Sequence, residues 1–145
     1  MGGDVPIESI SVDETWARLK READAVLIDV RTIAEWAYVG LPDLSSINKR
    51  PVLVEWQTFP DSRVNTAFVN SLTEALGPIG ANKDTELLFI CRSGSRSLTA
   101  ARAMAAAGYV RCRNVAEGFE GPLDTDRHRG RLAGWKAKGL PWSQG

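Results

Sequence analysis

One of the two cysteines in this 145-residue sequence has neighbours that favour nucleophilic chemistry. Cys91 directly follows the mostly apolar run at residues 86–90. Five polar or small residues come after it: Arg92, Ser93, Gly94, Ser95 and Arg96. The thiolate is the reactive form of cysteine, and arginines, hydroxyl groups and the free N–H groups at a helix start all stabilise it. A cysteine at a strand end is ordinarily a small buried residue. Core packing does not explain this loop, so we predict that Cys91 is a nucleophile.

The loop also has the composition of an anion-binding site. Gly94 allows a tight turn in which successive backbone N–H groups converge on one point. The arginines add positive charge and the serines add hydrogen-bond donors. The sequence therefore predicts that residues 92–96 bind the substrate of Cys91.

The flanking pattern predicts a strand before this loop and a helix after it. Residues 25–30 and 86–90 are nearly continuous apolar runs, typical of strands buried on both faces. Shorter strands are predicted at residues 7–10, around 46–47 and at 110–115. Helices are predicted after Ser11, which has a capping-box spacing with Glu14; around Phe68, Leu72 and Leu76; at residues 95–107; and at residues 127–140. Alternating strands and helices indicate an α/β domain with a parallel sheet, in which ligands bind at the carboxyl ends of the strands.

Composition excludes several classes of function. The 18 basic and 18 acidic residues give a net charge of zero, so no global field attracts nucleic acid or an anionic membrane. Two cysteines and one histidine argue against a disulfide framework or a zinc site. The sequence has no long apolar span and no secretory pattern at its start, so we expect a single cytoplasmic domain over residues 1–145.

Two further segments point to a known family. Residues 27–36 read Leu-Ile-Asp-Val-Arg-Thr-Ile-Ala-Glu-Trp, and residues 114–121 read Asn-Val-Ala-Glu-Gly-Phe-Glu-Gly. Together with the loop Cys91–Arg96, they resemble single-domain rhodanese-like proteins, the thiosulfate sulfurtransferase family. The resemblance implies a three-layer α/β fold around a central, mainly parallel five-stranded sheet flanked by helices. Two segments depart from the family pattern: residues 39–44, and an insertion after Gly118.

The same resemblance implies a mechanism. The Cys91 thiolate would take a sulfane sulfur from thiosulfate or a related donor, become a persulfide, and pass the sulfur to an acceptor such as cyanide or a protein thiol. Residues 92–96 would hold the sulfur and the donor anion, and no cofactor or metal is implied. Asp29 and Arg31 are expected to form an ion pair that shapes the site.

Other functions stay open at this point. The Cys-loop also resembles those of dual-specificity phosphatases and arsenate reductases, but their loop has five residues between cysteine and arginine, whereas Arg96 follows Cys91 after four. A non-catalytic or redox-sensing interaction module is a further alternative. Cys112 is predicted to be buried, with Val110 on the same face of its strand. The basic cluster at residues 127–138 is ordinarily a solvated face, or else a docking site for an acidic partner.

Overall fold

The computed structural model describes residues 6–58, 61 and 63–144. In chain order the elements are β1 (Glu8–Ile10), α1 (Val12–Arg21), β2 (Val26–Asp29), α2 (Ile33–Tyr38), β3 (Leu41–Pro42), β4 (Val52–Leu53), β5 (Gln57–Thr58), β6 (Arg63–Val64), α3 (Phe68–Leu76), β7 (Leu87–Ile90), α4 (Ser95–Ala106), β8 (Cys112–Val115) and β9 (Trp142–Ser143). Short 3-10 turns lie at Ser45–Ile47 and Gly77–Ile79.

Five of these strands form one parallel sheet in the order β1-β8-β7-β2-β4. The predicted fold class is therefore confirmed. The central strands β7 and β2 pair along their whole length, from Val26 beside Leu87 to Asp29 beside Ile90. The strands β3 and β9 form an antiparallel pair outside the sheet, and so do β5 and β6.

Both faces of the sheet are covered, which explains why the central strands are continuously apolar. Successive side chains of β7 point to opposite faces, so Leu87 and Phe89 join one core cluster while Leu88 and Ile90 join the other. The first cluster packs against α3 and α4, and the second against α1 and the segment after β8. Cys91 belongs to the first cluster, so its side chain lies on the α4 side of the sheet.

The first three predicted helices are confirmed. Ser11 caps α1, since its hydroxyl accepts the N–H of Glu14 at 3.0 Å. The carboxylate of Glu14 accepts from Arg18 at 2.8 Å, so it is used in an i,i+4 pair rather than in a capping box. No helix in the described ranges has the length and apolar character needed to cross a bilayer.

Three local predictions are wrong. Residues 127–140 form turns and bends, because Gly130, Gly134 and Gly139 all adopt positive φ, which interrupts helical backbone. The stretch at residues 46–47 lies in a 3-10 turn and not in a strand. Val110 precedes β8 and is 67% exposed, whereas Cys112 is buried, so the two do not share a face of the sheet.

Trp135 ties the turn-rich segment after β8 to the core. Its ring is fully buried, meets Trp16 edge-on with the ring centroids 5.8 Å apart, and donates its indole N–H to the carbonyl of Pro141 at 2.6 Å. The Trp135 side chain, and not a helix as predicted, therefore packs this segment against the core.

We expect Trp135→Ala to lower the free energy of unfolding by about 3–5 kcal/mol, because it leaves a cavity and removes the indole hydrogen bond to the carbonyl of Pro141. Urea titration followed by far-ultraviolet circular dichroism measures this loss. Leu132→Ala is the matched control in the same segment: Leu132 is 61% exposed, and a change within about 0.5 kcal/mol is expected. Equal losses in the two variants would contradict the anchoring role of Trp135.

Candidate active site

Cys91 lies directly after β7, at the carboxyl edge of the central sheet, and the loop at residues 92–94 leads from it into α4. This is the edge at which parallel α/β sheets bind their ligands. The residue is only 1% exposed. The sulfur therefore lies at the bottom of the loop, within reach of the first turn of α4.

Three polar groups surround the Cys91 sulfur. The backbone N–H groups of Gly94 and Ser97 donate to Sγ at 3.2 and 3.3 Å, and the Ser97 hydroxyl lies 3.2 Å away. N–H donors at the start of a helix carry the positive end of its dipole. The two N–H donors stabilise negative charge on sulfur.

Glycine at position 94 is required by both conformation and space. Its φ is +106°, and a Cβ there would collide with the carbonyl oxygen of Ala116, just after β8. Gly118 has a similar constraint: its φ is +70°, and a Cβ would lie 2.6 Å from the carbonyl oxygens of Cys91 and Arg92. The two chain segments thus approach too closely for any side chain between them.

The segment after β8 clamps the start of the loop through main-chain hydrogen bonds. The N–H of Phe119 donates to the carbonyl of Cys91 at 2.8 Å, and the N–H groups of Glu120 and Gly121 donate to the carbonyl of Arg92 at 2.9 and 3.2 Å. These bonds turn the carbonyl groups of residues 91 and 92 away from the sulfur. The N–H groups of Gly94 and Ser97 donate to the sulfur instead.

Arg96 is held by Glu35 of α2. Two parallel hydrogen bonds, of 2.7 and 2.9 Å, join the guanidinium to the carboxylate. Glu35 also accepts the backbone N–H of Thr32 at 3.1 Å, which completes a capping box at the start of α2. Burial alone would raise the pKa of Glu35, but the bonds from Arg96 and Thr32, with the charges of Arg96 and Arg31, outweigh it and lower the pKa to about 2.

Asp29 and Arg31 form a second ion pair at the end of β2, beside the loop. Both side chains are fully buried, and the shortest of their hydrogen bonds is 2.7 Å. Arg31 also donates to the carbonyl of Gly40 at 2.7 Å, and its guanidinium lies 4.2 Å from the ring centre of Phe119. The pair therefore joins β2, the residue before β3 and the segment after β8.

The remaining loop residues lie at the surface end of the site. Arg92 and Ser95 are exposed, and Ser93 is partly buried. The backbone N–H groups of residues 92, 93, 95 and 96 have no partner within the described ranges. The geometry brings these predicted residues together around Cys91, while their roles in substrate binding stay predictions.

Sequence reasoning did not find three side chains that hold the site together. Ser97 contacts Sγ, buried Asn114 of β8 accepts from the Ser97 hydroxyl at 2.6 Å, and Glu35 holds Arg96. Glu35 and Asn114 lie in the family-like segments, but nothing in their spacing indicates contacts with residues 61 and 17 positions away.

Cys112 is buried, as predicted, and lies away from the site. It pairs with Leu87 at the first position of β7, whereas Cys91 follows the last. Four residues of strand separate the two levels by roughly 13 Å, too far for a disulfide. Burial raises the pKa of the Cys112 thiol to about 11, only partly offset by the charge of Arg113.

A cavity of about 710 Å³ lies at the other end of the sheet, lined by residues that include Val26, Lys49 and Val52. It borders the beginning of β2, so it is separate from the Cys91 loop. In the described part of the chain, no three His, Cys, Asp or Glu side chains come together as a metal site requires.

Comparison with known proteins agrees with this architecture. A family model described as "STR4 middle domain" matches residues 7–145. The crystal structure of Rv0390 from M. tuberculosis is 42% identical and aligns with a TM-score of 0.87, covering 97% of this chain and 100% of that one. The uncharacterized protein RP600 of Rickettsia prowazekii is 35% identical over 136 residues, 94% of this chain and 97% of the relative. Thiosulfate sulfurtransferase 18 of Arabidopsis thaliana is 32% identical over 113 residues, 77% of this chain and 76% of the relative.

The parallel sheet, the Cys-loop at its carboxyl edge and the sulfurtransferase relative define a rhodanese-like α/β fold. The chain belongs to the family that the STR4 middle domain model describes.

The depressed pKa of Glu35 predicts an acid-dependent contribution to stability. A carboxylate with a folded-state pKa of about 2, below its usual value, stabilises the fold at neutral pH and loses that effect as the pH falls through 2. We expect Glu35→Gln to lower the free energy of unfolding at pH 7 by about 1–3 kcal/mol and to flatten its decline between pH 5 and pH 2.

Urea titrations across that pH range measure both effects. Glu74→Gln, which removes an exposed carboxylate from α3, is the control and should reproduce the wild-type pH profile. A Glu35→Gln profile parallel to that of the wild type would contradict the ion-pair assignment.

Proposed function

We propose that the chain is a sulfurtransferase that moves a sulfane sulfur from thiosulfate or a related donor to a thiophilic acceptor through a persulfide on Cys91. The observation that carries this proposal is the cradle around the sulfur, in which two backbone N–H groups donate to Sγ at the start of α4. Such fixed dipoles stabilise charge that develops on a reacting atom without acid–base catalysis. The thiosulfate sulfurtransferase relative supports the same chemistry.

The reaction balances in two steps. The Cys91 thiolate attacks the outer sulfur of thiosulfate; a new S–S bond forms, the old one breaks, and sulfite leaves with the electron pair. The persulfide carries one negative charge on its outer sulfur. An acceptor such as cyanide then takes that sulfur as thiocyanate, and the Cys91 thiolate returns. No histidine base takes part, and neither step needs an external oxidant or reductant.

The two loop arginines take different roles in this proposal. Arg92 is exposed, and its guanidinium is suited to attract the donor oxyanion. Arg96 has its guanidinium bound in the bidentate pair with Glu35, so its charge acts on the site while its side chain holds the loop in place. Ser93, Gly94 and Ser95 supply the turn and further donors to the bound anion.

Mass spectrometry of the intact protein tests the persulfide directly. Incubation with thiosulfate should add one sulfur to the wild type and none to Cys91→Ser, and cyanide should remove it. Cys112→Ser is the matched control and should load like the wild type, because Cys112 is buried away from the site. The absence of an adduct on the wild type, with Cys91 still open to alkylation, would overturn thiosulfate as donor and favour a binding module or a phosphatase-like enzyme.

For the acceptor we propose an acidic protein thiol that docks on the basic segment after Gly118. Arg127 and Lys138 are exposed there, while Arg131 is already 3.6 Å from Asp124 and Lys136 lies 4.0 Å from the ring centre of Trp142. Arg127 and Lys138 form no ion pair with the other described residues, so their charges are available to meet a partner.

Charge reversal at Arg127 and Lys138 tests the docking. The double variant, with both residues changed to Glu, should slow sulfur transfer to an acidic peptide with a single cysteine by about tenfold at low salt. Transfer to cyanide should be unchanged. A neutral peptide of the same length is the control, and an equal loss for all three acceptors would contradict the docking role.

A further inference from the structure

The hydrogen bonds behind the Cys91 sulfur form a chain whose direction is fixed. Sγ lies 3.2 Å from the Ser97 hydroxyl oxygen, which lies 2.6 Å from the amide oxygen of Asn114. Ser97 is fully buried and Asn114 nearly so. Groups buried to this extent keep the partners that the structure gives them, since water does not compete.

The amide of Asn114 has only one orientation that satisfies its neighbours. Its nitrogen donates to the carbonyl of Gly94 at 3.2 Å and contacts the Ser9 hydroxyl at 3.3 Å. The reversed amide would set its oxygen against the Gly94 carbonyl, and two acceptors do not bond. The amide oxygen therefore faces Ser97 and can only accept.

The number of available protons then decides which atom donates in the contact between the Ser97 hydroxyl and the Cys91 sulfur. The Ser97 hydroxyl has one proton, and the short contact to Asn114 uses it. The hydroxyl can accept at Sγ but not donate, so the bond there is made by the S–H of Cys91. A thiolate would face the lone pairs of Ser97 until that hydroxyl turned its proton from Asn114 to the sulfur.

We propose that Asn114, acting through Ser97, restrains Cys91 as a thiol at rest and that the thiolate forms when the Ser97 hydroxyl turns its proton from Asn114 to the sulfur. In that step the S–H proton leaves to solvent, the bond from Ser97 to Asn114 breaks, and a bond from Ser97 to sulfur forms. Ser97 and Asn114 are positioning residues. The inference rests on the proposed function for its meaning in catalysis, since a thiol restrained in this way reacts less readily before the donor binds.

Alkylation of Cys91 by iodoacetamide at pH 7 tests the coupling in a Cys112→Ser background. Asn114→Leu keeps the side-chain shape and frees the Ser97 proton for the sulfur, so alkylation should be roughly three- to tenfold faster. The gain should disappear in the double variant with Ser97→Ala. A gain that persists without the Ser97 hydroxyl, or no gain at all, overturns the proposal.

The ultraviolet absorbance of the thiolate, measured as the difference from Cys91→Ser, must also rise in Asn114→Leu and lose that rise in the double variant with Ser97→Ala. A loop that is merely loosened changes access to the sulfur without changing its ionisation. Thr99→Ala is the matched control: its hydroxyl lies on α4 but bonds to the carbonyl of Ser95, so alkylation should stay at the wild-type rate. No substitution in these variants changes a residue of the ion pairs of Arg96 with Glu35 and of Arg31 with Asp29.

A second measurement does not depend on the folding of Asn114 variants. The infrared S–H stretch of Cys91, obtained by subtracting Cys91→Ser, should lie at lower frequency in the wild type than in Ser97→Ala, because a donating S–H bond is weakened. Equal frequencies overturn the proposal. Neither readout uses a sulfur donor, so failure to load sulfur would reject the proposed function and leave this test standing.

Discussion

The site depends on one constraint: the backbone after Cys91 must turn so that its N–H groups, and not its carbonyl groups, face the sulfur. Gly94 permits the turn through its positive φ, and the Phe119 N–H draws the Cys91 carbonyl to the other side. The strand before the loop and the helix after it are fixed by the core. The loop between them is therefore held at both ends and along its outer edge.

The same constraint explains why two positions near the loop accept no side chain. Gly94 and Gly118 are the points where the loop and the segment after β8 approach within backbone contact. Glu35 joins α2 to the loop through its ion pair with Arg96. Arg31, which is paired with Asp29 at the end of β2, reaches the segment after β8 through its contact with the Phe119 ring. Such pairs add little net stability when weighed against desolvation, but they specify one arrangement and are costly to break.

The turn-rich segment that follows β8 contacts the Cys91 loop at its beginning and reaches the surface further along. It lacks regular secondary structure between Gly121 and Pro141 and depends on Trp135 for packing. Its first residues clamp the loop, and its later residues display basic side chains. The same segment therefore both holds the Cys91 loop and carries the basic surface that we propose as the docking site for an acceptor.

The sequence by itself determined the central strands and the position of Cys91 at the end of one of them. Residues 87–90 and 26–28 are apolar on both faces, so only central strands suit them, and Cys91 with its glycine and arginines follows one of these strands directly. The sequence misjudged residues 127–140, since apolar spacing does not reveal that three glycines there adopt positive φ. It also did not show that Glu35 binds Arg96 or that Asn114 holds Ser97. Those partners are far apart in the chain and meet only because the parallel sheet sets β8 beside β7 and brings the start of α2 to the same edge, so tertiary structure alone decided them.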